Sequence, residues 1–341
     1  METKQLESTT GFVVYDLPGA DNYVGQARLG AKLAPANAAM LVRHQTYVFA
    51  VLEQRRSGAN LGLKVDPDQT ADAVAAAANE LAEEFSSQRL SVSPGLRLDH
   101  DALAPILAHD QRNSLLGDDR DGIRFEDELV GVGAVAAASG TRGSLDGARV
   151  SIEGFGTVGL AIAREAAAQG AVIHRISTSK GCVTGEFDVT TLTDAFMSAG
   201  AGCVEQLGKV GKPWEIYKGD VDVVFVGSGP GAMSGQGASM VGTTPVVAVG
   251  PAAISSKAMA VLRQQGAPTA ADFVAGVGPA LAWWSDSTSH DDLRSSTSST
   301  VAALVEETAG HADGGFMAAC YKAEAFMTTW QDILPFGRPL G

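Results

Sequence analysis

One stretch limits what this chain can fold into more than any other: residues 148–181, ARVSIEGFGTVGLAIAREAAAQGAVIHRISTSKG. Arg149 to Glu153 is a short apolar-rich run with β-branched residues and reads as a strand. Gly154, Gly156 and Gly159 follow in the spacing G-x-G-x-x-G. Val158, Ile162 and Ala166 then recur at helical spacing, Gly170 closes that helix, and Ala171 to Ile176 reads as a second strand. Each glycine has its own job. Gly154 permits a tight turn, Gly156 lets the backbone come close to a pyrophosphate, and Gly159 lets helix and strand pack closely. The helix N-terminus adds unpaired N–H groups and the positive end of a dipole. Placed between a strand and a helix, the motif predicts a dinucleotide site in which Gly154, Gly156, Thr157, Val158 and Gly159 meet the phosphates. The plain alternative is a glycine-rich turn with no ligand.

The length of 341 residues suggests two domains, and 45% hydrophobic residues suffice for a sizeable core. A formal net charge of −14 with no basic stripe argues against a nucleic-acid partner. No segment approaches the roughly 18 uninterrupted apolar residues of a membrane span. The N-terminal METKQLESTT lacks the apolar run of a secretory signal, so a cytoplasmic location is expected. Cys182, Cys203 and Cys320 form no C-x-x-C pair and no zinc spacing, so reduced thiols and no metal site are expected.

Before the glycine motif, GFVVYDL and NYVGQARLGAKL read as strands, and residues 39–53 as a helix. RRSGAN at 55–60 reads as a loop and LGLKV as the strand after it. Helices are expected over about 70–86, 101–116 and 126–139, with a short strand at 90–92 and a charged loop at 117–121. After the motif, a helix at 190–198 precedes strands at 222–226 and 245–249, with the loop GSGPGAMSGQG between those strands. A helix at 254–265, a short strand at 272–275 and helices at 291–307 and 315–329 complete the chain. This alternation predicts an α/β fold of two domains: a doubly wound Rossmann-type nucleotide domain at 129–285 and a smaller α/β substrate domain at 1–128. The helices at 286–341 are expected to pack back on the smaller domain.

Three stretches carry a resemblance to the glutamate/leucine/phenylalanine/valine dehydrogenase superfamily. Residues 144–181 are similar to that family's cofactor segment, down to the S-x-S-K-G of Ser177 to Gly181. Residues 246–278 are similar to its later strand-helix-strand ending in a P-D-x-x-A-N-A-G-G type motif. RRSGANLGLKVDP at 55–67 resembles its substrate loop, G-G-A-K-G-G-x-x-x-D-P. The match is strong over the nucleotide domain and weak before residue 55. The resemblance implies a substrate domain facing a nucleotide domain across a cleft, and a homo-oligomer, dimer or larger. The implied reaction is reversible oxidative deamination of an L-amino acid with NAD or NADP. That reaction needs a lysine to activate water, a second lysine to hold the substrate carboxylate, and an aspartate for proton transfer.

This sequence departs from the pattern at each of those points. Asn60 stands where the activating lysine is expected, and an amide cannot act as that base. The clamp lysine falls on Val48, and the aspartate near Gly95, with Asp99 close by. In the later motif Gly276 replaces the nicotinamide-side asparagine and Pro279 a glycine. Intact phosphate-binding glycines beside these losses imply a retained cofactor fold with a changed or lost reaction.

The resemblance places Asn60 toward the ligand and makes Asn60, His44 and Asp99 the catalytic candidates, with Lys64 and Arg97 for an acidic substrate group. The bland readings are a core or surface histidine, a helix cap at Asp99 or Asp101, and solvated charges. Gly227, Ser228, Gly250 and Gly276 are expected along the cofactor's ribose and nicotinamide. At the adenosine ribose Thr178 stands where the family often has aspartate. No carboxylate there repels a 2′-phosphate, and Arg175, Ser177, Ser179 and Lys180 could contact one, so NADP is favoured over NAD. The expected function is an NAD(P)-dependent oxidoreductase acting on a small imine, carbonyl or amine. The alternatives are a dehydrogenase-like binder that acts as a regulator, and non-redox chemistry on the same scaffold.

Overall fold

The computed structural model describes residues 1–334 and 337–341. The chain forms two compact units, Met1–Arg112 with Lys322–Pro339, and Asn113–Tyr321 with Leu340–Gly341.

The first unit contains β1 (Glu2–Gln5), β2 (Gly11–Tyr15), β3 (Tyr23–Leu29), α1 (Pro35–Val51), β4 (Ser57–Leu63), α2 (Thr70–Glu80), α3 (Ala82–Ser86), β5 (Leu90–Pro94) and α4 (His100–Leu107). Its sheet has the order β1-β2-β4-β3-β5. The pairs β1–β2 and β2–β4 are antiparallel, and β3 runs parallel to both β4 and β5. Alternation sorts the side chains by face. Val13, Tyr15, Ala59, Leu61 and Leu63 pack in one core with Val74, Leu81, Leu103 and Ile106 of the helices. Phe12 and Val14 pack with Ala38 and Val42 of α1.

The segment read as the loop RRSGAN is mostly strand, because β4 begins at Ser57 and is buried throughout. Glycine and asparagine look like loop residues, yet here they serve packing. A Cβ on Gly58 would lie 1.8 Å from the carbonyl oxygen of Val42, so α1 rests directly on the β4 backbone. The helix expected over 101–116 ends at Leu107, and the one over 70–86 breaks at Leu81 into α2 and α3.

A buried polar knot ties α1 to this sheet. The Arg43 guanidinium donates to both oxygens of the fully buried Asp16 at 2.7 Å. Thr46 Oγ1 donates to Asp16 at 2.7 Å and accepts the Gly58 N–H at 2.9 Å. Ser57 Oγ accepts the Leu17 N–H at 2.9 Å.

The second unit contains β6 (Asp119–Arg120), β7 (Ile123–Arg124), α5 (Phe125–Arg142), β8 (Arg149–Glu153), α6 (Thr157–Ala168), β9 (Val172–Thr178), β10 (Gly181–Phe187), α7 (Val189–Ala199) and α8 (Cys203–Leu207). It continues with β11 (Val223–Val226), α9 (Gly235–Val241), β12 (Val246–Ala248), α10 (Ser256–Gln265), β13 (Thr269–Ala270), α11 (Asp272–Ala275), α12 (Gly278–Ala282), α13 (His290–Thr308) and α14 (Gly315–Met327), which crosses into the first unit at its end. Its main sheet has the order β10-β9-β8-β11-β12-β13, parallel except for β10. Counted within this sheet the order is 3-2-1-4-5-6, the doubly wound dinucleotide-binding order, with its topological switch between β8 and β11. The strand expected at 272–275 is helix α11, and the strand itself is β13 just before it.

The unit border lies at 112/113 rather than 128/129. Asn113 explains this: its N–H bonds the Trp283 carbonyl at 2.8 Å, and its Nδ2 bonds the carbonyls of Ser285 and Ser287 at 2.9 and 2.8 Å. α13 likewise stays with the second unit, where Arg294 pairs with Glu165 at 2.6 Å and Val305 packs beside Gly140 of α5. No helix among the described residues is long and apolar enough to cross a membrane. All three cysteines are buried as free thiols, and burial pushes the Cys182 thiol up to about 11.

Arg43→Met leaves Asp16 as an uncompensated buried charge and is expected to cost about 3–5 kcal/mol in chemical denaturation. The double variant Arg43→Met/Asp16→Leu is expected to recover part of that loss. Equal stability of Arg43→Met and the parent would show that the pair does not hold α1 to the sheet.

Candidate cofactor site

The C-terminal ends of β8, β11 and β12 meet at one edge of the second unit's sheet, and their loops pack almost backbone to backbone. Gly154 turns with φ +82°, and a Cβ there would lie 2.5 Å from the Ser228 nitrogen. A Cβ on Gly250 would lie 2.5 Å from the Gly227 carbonyl oxygen. Glu153, at the end of β8, crosses the switch point: it accepts the N–H groups of Gly227 and Ser228 at 3.1 and 3.0 Å and the Ser228 hydroxyl at 2.5 Å. Gly154, Gly227, Ser228 and Gly250 therefore lie together at this edge. Glu153 was not among the expected residues, although it directly precedes the glycine motif.

Gly156 differs from Gly154. It is the N-cap of α6 with φ −127°, a value open to any residue, and a Cβ on it would meet nothing within 4 Å. The fold alone therefore does not require glycine here. The N–H groups of Thr157, Val158 and Gly159 begin α6 with no acceptor among the described residues, as the first turn of a helix leaves them. Together these give a short approach to a cluster of aimed donors at a helix N-terminus, which suits a phosphate. Thr157 also bonds the carboxyl of Asp127 in α5, whose pKa burial raises while this bond pulls it the other way.

At the neighbouring edge, β9 turns into β10 through Ser179 and Lys180, with Thr178 paired to Gly181. The Ser177 carbonyl accepts the Phe155 N–H at 2.7 Å, linking this strand end to the glycine loop. Thr178 Oγ1 donates to the Ala201 carbonyl at 2.7 Å and accepts the Lys180 N–H at 3.1 Å. Ser179 and Lys180 are exposed. Arg175, by contrast, is buried and committed to Asp220, the Lys218 carbonyl and Thr184. It is thus withdrawn from the residues expected at a 2′-phosphate.

Beyond β12, Ala252 sits at φ +53°, an unusual conformation for alanine. Its N–H donates to Asp272 Oδ2 at 2.5 Å and its carbonyl accepts the Gly231 N–H at 2.8 Å. Gly341 packs on the same loops: its N–H bonds the Ile254 carbonyl at 3.0 Å and its carbonyl accepts the Ser256 N–H at 3.1 Å. Asp272 is fully buried, and desolvation pushes its pKa up to about 7 against two or more backbone N–H bonds. Gly276 ends α11, its N–H bonding the Asp272 carbonyl at 2.8 Å.

The substrate candidates of the first unit do not form one hydrogen-bonded cluster. Asn60 lies in mid-sheet at 1% exposure, its Nδ2 donating to the Gln26 carbonyl at 3.0 Å and its Oδ1 without a partner. His44 in α1 is buried, and desolvation lowers its pKa to about 4, which favours the neutral imidazole at pH 7. Asp99 caps α4 by accepting the Ala102 N–H at 2.8 Å, and neither it nor Asn60 bonds His44. Lys64 and Arg97 are exposed, Arg97 at φ +61°. Val48, at the clamp-lysine position, is 2% exposed. Among the described residues no group of three or more His, Cys, Asp or Glu could hold a metal ion. A cavity of about 770 Å³ elsewhere in the second unit, lined by Met259, Arg263, Thr269, Val305 and Phe316, shares none of the glycine loops. Its size does not outweigh the donors gathered at the strand ends.

A family model described as glutamate/leucine/phenylalanine/valine dehydrogenase matches residues 122–324. Among solved structures, a hetero-hexameric glutamate dehydrogenase from Thermus thermophilus superposes with a TM-score of 0.77 at 21% identity, covering 98% of this chain and 90% of that one. An L-tryptophan dehydrogenase from Nostoc punctiforme gives 0.66 at 16% identity, covering 96% of each chain. Glutamate dehydrogenase 2 of Plasmodium falciparum gives 0.74 at 15% identity, covering 94% and 81%. At these identities the likeness concerns the fold. Comparison with curated proteins gave no match.

Asp272 provides a test of the loop chemistry. Its folded pKa lies above the ordinary value of 3.8, so its ionisation opposes folding. The stability it contributes is complete below about pH 4 and is lost as pH rises through 7. Asp272→Asn cannot ionise, so the difference in Tm, parent minus variant, is expected to fall between pH 4 and pH 7. A difference independent of pH would contradict the assigned burial of the charge.

Proposed function

The chain belongs to the glutamate/leucine/phenylalanine/valine dehydrogenase family, and we propose that it transfers hydride between NADP, in preference to NAD, and a small imine, carbonyl or amine rather than performing ordinary amino-acid deamination. At the level of the family it is an NAD(P)-dependent oxidoreductase. The observation that carries the cofactor reading is Gly156, a glycine with open space where its Cβ would stand, at the head of a helix with unpaired N–H groups. When bound, the nicotinamide supplies a hydride donor or acceptor at C4.

The chain's own residues divide the remaining work. Gly154, Gly156, Thr157, Val158 and Gly159 seat the pyrophosphate, and the Ser177–Lys180 end of β9 seats the adenosine ribose. Gly227, Ser228, Gly250 and Gly276 line the path of the nicotinamide half, with Glu153 fixing the first two in place. Ordinary deamination is disfavoured because Val48 and Asn60 supply neither the ammonium clamp nor the amine base. Asn60 remains the candidate for orienting substrate, since an unpaired buried amide oxygen costs about 1–3 kcal/mol unless something meets it. Lys64 and Arg97 are candidates for an acidic group of the substrate. Asp99 serves as a cap and His44 is neutral, which lowers both as proton carriers. We expect a homo-oligomer, dimer or larger.

The same missing lysines favour a second reading, a nucleotide-binding regulator without turnover. Titration with NADPH and NADH, read by nicotinamide fluorescence, separates the cases when followed by a screen of keto acids, imines and carbonyls at 340 nm. Binding with turnover supports the oxidoreductase, and binding without turnover supports the regulator. Gly156→Ala is expected to lower Tm only slightly, as an N-cap alanine does, while weakening NADPH binding about tenfold or more. Unchanged affinity in that variant would remove the phosphate role from the motif.

A further inference from the structure

The cavity of about 770 Å³ in the second unit shares none of the glycine loops and has no part in the function proposed above. Its floor is apolar: Met259 of α10, Val305 of α13 and Phe316 of α14 are buried residues that line it. Phe316 is held edge-on to Phe273, with ring centroids 5.7 Å apart. Three threonines share the lining, and each hydroxyl is committed to a backbone carbonyl: Thr141 to Ala137 at 2.9 Å, Thr269 to Ala267 at 3.1 Å and Thr308 to Leu304 at 2.8 Å. The polar capacity left over is found at the rim, where Arg263, His311 and Asp313 stand. Asp313 is engaged at both carboxylate oxygens, one paired with Arg263 and the other accepting the Tyr321 hydroxyl at 2.9 Å. His311 Nδ1 accepts the Asp313 N–H at 3.0 Å, so Nε2 carries the ring proton. Nε2 of His311 has no hydrogen-bond partner among the described residues, nor have Nε and Nη1 of Arg263. The free side-chain groups of this trio are thus donors, one of them cationic, above an apolar floor.

We infer that this cavity is a second ligand site, which takes a monocarboxylate with an apolar body, such as a medium-chain or aryl acid. The carboxylate head lies against Arg263 and His311, where charge-assisted hydrogen bonds form, and the body covers Met259, Val305 and Phe316. The volume falls within the roughly 300–1,000 Å³ of sites that hold one small ligand, and such sites join apolar walls to a few placed polar groups. A neutral alcohol of the same length gains only the apolar contact. An amine of that length meets Arg263 as a like charge. The site is independent of the cofactor reading, because no residue of the glycine loops belongs to it.

Octanoate, 1-octanol and octylamine would be titrated by calorimetry into the full chain and into Arg263→Ala, Asp313→Asn and Ala260→Trp. Octanoate is expected to bind the parent about tenfold or more tightly than octanol, and octylamine not to bind. Arg263→Ala should bring octanoate down to the affinity of octanol, a loss of about tenfold. Asp313→Asn should instead tighten octanoate, because it releases the guanidinium to the ligand. An ion pair that only braced the loop would move both variants the same way, and that result would overturn the assignment. Ala260 is exposed on α10 and lines the cavity, so Ala260→Trp should block octanoate while Tm stays that of the parent. Saturating NADPH should leave the octanoate affinity unchanged. Octanoate that competes with NADPH, or that still binds Ala260→Trp, sits elsewhere and the assignment is wrong. Preference for octylamine, or no binding of any of the three, overturns it as well. Failure of the cofactor reading is seen separately, as absent NADPH binding with octanoate unaffected.

Discussion

Backbone lying against backbone at the strand ends is the constraint on which the second unit depends. Glycines stand where β8 and β12 finish, and Gly154 and Gly250 leave room for the Ser228 nitrogen and the Gly227 carbonyl. Glu153 then holds these loops by accepting from two consecutive N–H groups and a hydroxyl. Packing at this edge gives the crevice between β8 and β11 its shape, and the strand order puts that crevice where a dinucleotide crosses such a sheet. Larger residues at Gly154 or Gly250 would separate the loops. The donors at the head of α6 would then face a different opening.

Two kinds of glycine emerge from this arrangement. Gly154 is required by its positive φ and by its neighbours, so the fold itself keeps it. Gly156 is required by neither, and the place its Cβ would take is open space at the head of α6. The sequence presents the two identically, and only their surroundings distinguish them.

Much of the second unit was legible in the residues because its elements are local: a strand, a glycine turn, a helix and a strand in close order. The first unit was harder. Ser57, Gly58 and Asn60 have the composition of a loop but form the buried central strand, since α1 leaves no room for a side chain on Gly58. That reason lies fifteen residues and more away in sequence, at Val42. The border between the units was misplaced for a similar reason, as Asn113 is held by carbonyls at 283–287. The commitment of Arg175 is not legible in the sequence because its partner Asp220 lies far along the chain. Glu153, Asp127 and Asp272 went unnoticed because a carboxylate in sequence carries no sign of what desolvates it or what it accepts.

The buried thiols have a practical side. Cys182, Cys203 and Cys320 are all enclosed, and desolvation raises the pKa of the first two, so little thiolate is offered to reagents at neutral pH. The surface of this protein is therefore chemically quiet toward maleimides and iodoacetamides. A single cysteine placed on the exposed turn at Ser179 would be the reactive one, and a fluorophore attached there would report on the strand end without removal of any native residue of the core.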